Sequence, residues 1–141
     1  MTKFVTYVGT VYPWQCDHMG HMNVMWYVGK FDEATWNFFH RVALTPTYLR
    51  QEGRGMVAVQ QNIEYRKELL AGDLVRVEST LVEMRDKVMI FLHTMINVEQ
   101  ESVAATCELT GVHLDTAVRK AVPFPPAIRE RAAWLLGQTP A

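Results

Sequence analysis

The spacing of apolar residues changes character along the chain, and each change marks an element. Phe4 to Tyr12 is short and rich in Val, Tyr, Phe and Thr, the composition of a strand, and Pro13 stops it. Trp14 to Met22 shows no period and mixes one glycine with polar and sulfur-bearing residues, so it reads as a structured loop. Asn23 then offers a side-chain oxygen to the orphan amides of a helix start. From Val24 the apolar positions Tyr27, Val28, Phe31, Ala34, Thr35, Phe38 and Val42 follow in steps of one, three or four, which predicts an amphipathic helix with a broad buried face.

Pro46, Gly53 and Gly55 break the chain, and alternation takes over to about residue 115. Strands are predicted at Gly55–Arg66, Asp73–Arg85, Lys87–Val98 and Ser102–Leu114, separated by Ala71-Gly72-Asp73, Arg85-Asp86-Lys87 and Glu99-Gln100-Glu101. Val75, Val77 and Leu81 alternate with Arg76, Glu78 and Thr80, giving one dry face and one wet one. Lys87–Val98 is apolar on both faces and is therefore expected to be central. Val122 to Pro126 ends the strand pattern, and Ala127–Leu136 is a short C-terminal helix. Strand, long helix and four strands joined by tight turns imply an α+β domain with an antiparallel sheet covering the helix. One domain over 1–141 is expected, with a core at about 4–115 and an extension at 116–141.

Composition narrows the class. The chain is 49% hydrophobic and 21% charged, enough for a real core, with surplus apolar surface that calls for a partner. Fourteen basic against fifteen acidic residues give a net charge of −1, which argues against a nucleic-acid protein relying on a basic face. Cys16 and Cys107 stand far apart without a redox or zinc spacing, which points to a reducing, cytoplasmic setting. No signal-peptide pattern opens the chain, and no apolar run approaches the roughly 18 residues of a membrane span, so no membrane partner is expected.

The chemistry concentrates in Tyr12-Pro-Trp-Gln-Cys-Asp-His-Met-Gly-His-Met-Asn-Val-Met-Trp-Tyr27. Asp17 lies in a loop just before a helix N-terminus, where free amides and the helix dipole favour developing negative charge. The amide of Val24, or a near neighbour, is the candidate oxyanion donor; losing such a donor costs a hydrolase roughly 3–4 kcal/mol. Asp17 can attack a carbonyl itself or deprotonate a water. Taken alone, an aspartate there is more often a cap or turn former. Cys16, Asp17, His18 and His21 can be drawn as a metal site, but no metalloenzyme spacing occurs and no metal is expected.

The run Asp17-x-x-Gly20-His21-x-Asn23-x-x-x-Tyr27, with Glu33-Ala34 on the helix and Ile63 to Asp73 ending in a Gly-Asp turn, resembles the hot-dog-fold acyl-CoA thioesterases of the 4-hydroxybenzoyl-CoA thioesterase type. The resemblance covers roughly residues 4 to 115. It implies a five-stranded antiparallel sheet wrapped around one long central helix, a homodimer or homotetramer with its site at the subunit interface, and hydrolysis of a small acyl-CoA without a cofactor, coenzyme A being part of the substrate. By position, Asp17 is then general base or nucleophile, and Gly20 lets the loop approach the substrate. His21 and Asn23 shape the pocket or orient water, and the amides near Val24 polarise the carbonyl. Hot-dog dehydratases carry Gly-His-Phe-Pro here, whereas Gly20-His21 is followed by Met22-Asn23, with no proline before Pro46, which disfavours dehydration. A non-catalytic acyl-CoA-binding module is the alternative; the retained acid argues against it.

Coenzyme A needs cations at an exposed mouth, and Arg66, Lys67 and Arg85 are preferred among seven basic residues near strand ends. On the acyl side, Trp14 and Trp26 flank the motif, while Tyr27 and Trp36 are expected to pack in the core. Aromatic faces around a short cavity hold quaternary ammonium groups, and the segment from Trp14 to Trp26 also resembles the thioesterases of bacterial carnitine degradation, whose substrate is betainyl-CoA.

Overall fold

Asn23 starts the long helix as its sequence position predicts. Its backbone is extended and its Oδ1 accepts the Met25 amide, so α1 runs Val24–Arg41 in the computed structural model, which describes residues 2–137. His40 and Arg41 close its last turn, the sign of charge that end favours. Tyr27, Phe31, Ala34, Phe38 and Phe39 form its buried stripe. Val24 and Val28, which share the apolar period, are exposed.

The remaining elements are β1 (Lys3–Thr10), α2 (Pro46–Glu52), β2 (Arg54–Tyr65), β3 (Leu74–Met84), β4 (Val88–Asn97), β5 (Ser102–Asp115), β6 (Lys120–Ala121) and α3 (Pro126–Leu135). All pairings are antiparallel in the order β1-β3-β4-β5-β2, so β4 is central, as its two-faced pattern required. Met89, Phe91, His93 and Met95 face the core, whereas Val88, Ile90 and Leu92 on the other face are only half-covered. Phe91 packs at 5.1 Å against Phe38 and 5.4 Å against Phe39, which seats α1 on the sheet. The little β6 adds a sixth strand to the expected five by pairing with the end of β5.

Helix α2 is an addition to the sequence reading. Its signals are local: Thr45 caps the Tyr48 amide, Pro46 sits in the first turn and Gly53 closes it in the left-handed region. It buries no residue, so no apolar period announced it. Phe124, Ile128, Ala132 and Leu135 from the extension join the same core cluster as α1; its last residues, 138–141, lie outside the described ones.

Two polar features are buried beneath α1. A chain of hydrogen bonds links Thr6 Oγ1 to Ser79 Oγ (2.7 Å), Ser79 Oγ to His93 Nδ1 (2.5 Å) and His93 Nε2 to Thr35 Oγ1 (2.8 Å). Fully enclosed, His93 has its pKa pushed down to about 3, because burial penalises the imidazolium. Lys30, 3% exposed, donates to Tyr7 Oη at 2.8 Å. The Tyr7 ring can lie there because Gly9 carries no side chain: a Cβ would stand 2.2 Å from that oxygen.

Candidate active site

The loop between β1 and α1 is held almost entirely by its own backbone. Pro13–Gln15 forms a single 3-10 turn, and buried Gln15 accepts the Tyr12 amide on its side chain and the Asn23 amide on its carbonyl. Cys16 and Met22 pair as a β-bridge, while Asp17 N–H donates to His21 O and Gly20 N–H to Asp17 O, closing a tight turn. Gly20 sits at φ +89°, a conformation side chains rarely adopt, and the space around its missing Cβ is open. Its glycine is required by the turn rather than by crowding. Met22 N–H donates to Leu69 O, fastening the loop to the segment after β2.

Within this frame Asp17 is half-buried with both carboxylate oxygens engaged. Oδ1 accepts the Met19 amide at 2.9 Å and Oδ2 the Asn23 Nδ2 at 3.2 Å. The other end of the same Asn23 side chain accepts Met25 N–H at 3.0 Å. One asparagine therefore caps the helix and orients the acid, which explains the spacing between Asp17 and Asn23. The Val24 amide next to it has no hydrogen-bond partner among the described residues. It points from the positive end of an 18-residue helix, the environment that stabilises an oxyanion.

Two hollows flank this helix start. One, of about 360 Å³, is lined by His21, Val24, Tyr27, Arg66 and Lys67 together with Tyr65 and Glu68. His21 Nε2 stands 3.5 Å from Glu68 Oε1. Tyr27 is buried, donates to Lys67 O at 3.3 Å and meets Tyr65 edge-on at 5.1 Å; burial holds the Tyr27 phenol above its ordinary pKa. The other hollow is a groove of about 450 Å³ between α1 and the β2–β5 edge, beginning at Met25 and running past Asp32 and Trp36 to Phe39. Asp17 touches neither cavity wall directly; it reaches the groove through Asn23 and Met25.

The structure thus brings Asp17, Gly20, His21, Asn23, Val24, Tyr27, Arg66 and Lys67 to one end of the sheet. Arg85 is not among them. It follows β3, whose first residue packs near the loop, and eleven residue steps at ~3.3 Å put it about 36 Å away within the same protomer. The aromatic residues also sort differently from the sequence reading. Tyr12 stacks on Trp14 at 5.7 Å, and Trp14 meets Trp26 edge-on at 5.0 Å, so this trio packs against itself outside the groove. Trp36, expected in the core, is 44% exposed on the groove wall. Gln15 and Leu69, which hold the loop, carried no signal in sequence because their partners are distant or backbone atoms. Among the described residues no group of histidine, cysteine and acidic side chains is arranged to hold a metal ion. No described helix is long and apolar enough to cross a membrane.

Comparison with known proteins places this geometry. The family model described as "Thioesterase-like superfamily" matches residues 11–132. The chain is 31% identical over 112 residues to the L-carnitine dehydrogenase/betainyl-CoA thioesterase of Agrobacterium fabrum, covering 79% of this chain but only 23% of that protein. A hypothetical protein from Staphylococcus aureus, solved in complex with CoA, superposes with a TM-score of 0.89 at 20% identity, over 100% of this chain and 89% of that one. A 1,4-dihydroxy-2-naphthoyl-CoA thioesterase from Synechocystis gives 0.82 at 17% identity, over 94% and 96%. The sheet curled around α1 is the hot-dog fold.

Proposed function

The chain belongs to the thioesterase-like superfamily, and from that membership we propose that it hydrolyses a small acyl-CoA thioester with Asp17 as general base or nucleophile. The observation that carries this reading is the clamp at the helix start. Asn23 holds the Asp17 carboxylate on one side and the first turn of α1 on the other, beside an unpaired Val24 amide. In this reading the thioester carbonyl oxygen rests on that amide, next to the residue whose side chain holds Asp17. As general base, Asp17 takes a proton from water, hydroxide adds to the carbonyl carbon, and charge gathers on the oxygen at Val24 N–H. The C–S bond then breaks, and the proton passes to the departing thiolate. As nucleophile, Asp17 adds to the same carbon, the C–S bond breaks with release of the coenzyme A thiolate, and water then opens the resulting mixed anhydride, giving up a proton to the thiolate. His21 borders this space and is steered by Glu68.

The basic pair Arg66 and Lys67, exposed on the hollow beside Val24, suits the phosphates of coenzyme A. The acyl group then points the other way, into the groove that begins at Met25. Betainyl-CoA is the substrate this reading favours, on the strength of the 31% identity to a protein so named. No step requires a metal or cofactor. The two free cysteines fit a reducing, cytoplasmic setting.

A second copy completes the site in this proposal. β2 is a sheet edge of 12 residues with no proline, and Val57 and Val59 lie 40% and 60% exposed on it. Such an edge is a template for pairing with its own twin, and the groove runs directly beside it.

Acyl-CoA hydrolysis measured for the wild type, for Asp17→Asn and for the wild type after chelation tests the reading. Turnover lost in the variant and unaffected by chelator is expected. Wild-type protein that binds acyl-CoA without turnover means a binding module, and chelator sensitivity means a metal-dependent hydrolase. Single turnover in labelled water identifies the anhydride route where label enters Asp17, since general-base attack places it only in the released acid.

A further inference from the structure

Tyr27 carries a buried hydroxyl where a phenylalanine would serve the core. Its side chain is 5% exposed, and its ring meets Tyr65, the last residue of β2, edge-on at 5.1 Å. A phenol taken out of water needs a partner, and Tyr27 finds one in the strap after β2, where the chain leaves the sheet. Its Oη donates to Lys67 O at 3.3 Å. The Leu69 amide, which donates to no backbone carbonyl among the described residues, faces the same oxygen. One hydroxyl thus stands in for the strand neighbour that residues 67 and 69 lack. The other ties of the strap are backbone bonds. The Arg66 and Lys67 amides share Ala104 O at 2.8 and 3.1 Å, and Leu69 O accepts the Met22 amide at 2.7 Å. Among the described residues Tyr27 is the one α1 side chain hydrogen-bonded to the strap.

The strap displays charge. Arg66, Lys67 and Glu68 line the hollow of about 360 Å³ that Val24 and Tyr27, three residues apart on one face of α1, border from the helix side. Lys67 forms no ion pair among the described residues, and Arg66 pairs with exposed Glu64 at 3.5 Å. We infer that Tyr27 is a positioning residue, whose hydroxyl fixes the strap so that Arg66 and Lys67 meet the phosphates of coenzyme A on an ordered backbone. This rests on the reading that sets those phosphates at the basic pair. Long side chains lose freedom when they bind, and an unfixed backbone adds its own entropy to that cost. With the strap clamped, only the side chains remain to be ordered. Asp17 makes no hydrogen bond to the Tyr27 hydroxyl, so removing the hydroxyl weakens affinity for the phosphate-bearing ligand and spares the chemical step.

The test compares ligands with and without phosphates. Binding is measured by titration calorimetry with CoA and with pantetheine, and turnover with betainyl-CoA and betainyl-pantetheine. Tyr27→Phe keeps the ring on Tyr65. It should weaken CoA about five- to tenfold, raise KM for betainyl-CoA to match, and leave kcat and both pantetheine values in place. Arg66→Gln with Lys67→Gln should lower the CoA-to-pantetheine ratio further, and adding Tyr27→Phe to that pair should change nothing more. Tyr48→Phe, which takes a hydroxyl from His113 near the other end of β2, should leave the ratio alone. No turnover, with the binding ratios behaving as stated, defeats the betainyl-CoA reading and leaves the clamp standing. A Tyr27→Phe variant that binds CoA like the wild type, or that loses kcat on both thioesters alike, overturns the clamp while Arg66 and Lys67 keep their place. A ratio that Arg66→Gln with Lys67→Gln does not move takes the phosphates away from the hollow, and the clamp falls with that reading.

Discussion

Acidification should unfold this protein in a window set by His93. The imidazole is fully enclosed, bonded to Ser79 on one nitrogen and Thr35 on the other, and burial takes its pKa from 6.5 to about 3. Its folded pKa lies below its unfolded one, so the unfolded chain binds the extra proton. The contribution is complete above pH 6.5 and is lost as pH falls from 6.5 toward 3. At ~1.4 kcal/mol per pH unit for one proton, the whole window is worth about 5 kcal/mol, comparable with the total stability of a small domain. His113, also enclosed and with its pKa lowered by burial, adds in the same direction. Glu101 and Asp115, held below their ordinary values by Arg76 and by the Val118 and Ala117 amides respectively, lose their contributions only at lower pH. The interval from pH 6.5 to 4.5 therefore isolates the histidines. Urea unfolding followed by tryptophan fluorescence, at fixed protomer concentration, measures the slope for the wild type and for His93→Gln, which keeps polar atoms but does not titrate. The wild-type slope should exceed the variant's by about 1.4 kcal/mol per pH unit over most of this interval. Parallel lines would refute the reasoning, and with it the view that this buried chain holds the Thr35 hydroxyl at the groove wall.

Three further outcomes follow from particular contacts. Asn23→Ala removes the α1 cap and the second donor to Asp17, so thermal unfolding should report a loss of about 1 kcal/mol and turnover should fall. Asn23→Asp should recover the stability and not the turnover, since it sets a second carboxylate against Asp17. Gly9→Ala drives the Tyr7 ring off its seat and strips Lys30 of its acceptor, a destabilisation of about 1–3 kcal/mol in denaturant unfolding. Tyr7→Phe, which removes the acceptor alone, should show a loss in the same range. Val59→Asp puts like charges face to face if two β2 edges pair, and sedimentation should show a shift toward monomer with activity falling in parallel.

What could be read from the sequence alone was what neighbouring residues decide among themselves. A helix period, a strand alternation, an asparagine before an apolar run and a glycine in a tight turn each act within a few residues. That is why α1, the long strands, the place of β4 and the loop bearing Asp17 were all legible. The acid and its asparagine are six positions apart and joined through one side chain, so their relation was written locally too. Helix α2 escaped because it is two turns long and only half-buries Tyr48 and Leu49, too little to show a period. The tertiary structure alone decided which distant groups share a cavity. Arg66 and Arg85 look alike as basic residues at strand ends, and only the antiparallel order sends them to opposite ends of the sheet. Trp14 and Trp26 lie closest to the motif in sequence and pack edge-on against each other, while Trp36, nearly three turns farther along α1, lines the groove with Asp32. Facing direction depends on how the helix is rotated against the sheet. That rotation is set by Phe31, Phe38 and Phe39 packing onto Phe91 and His93, contacts between residues more than fifty positions apart that no local spacing records.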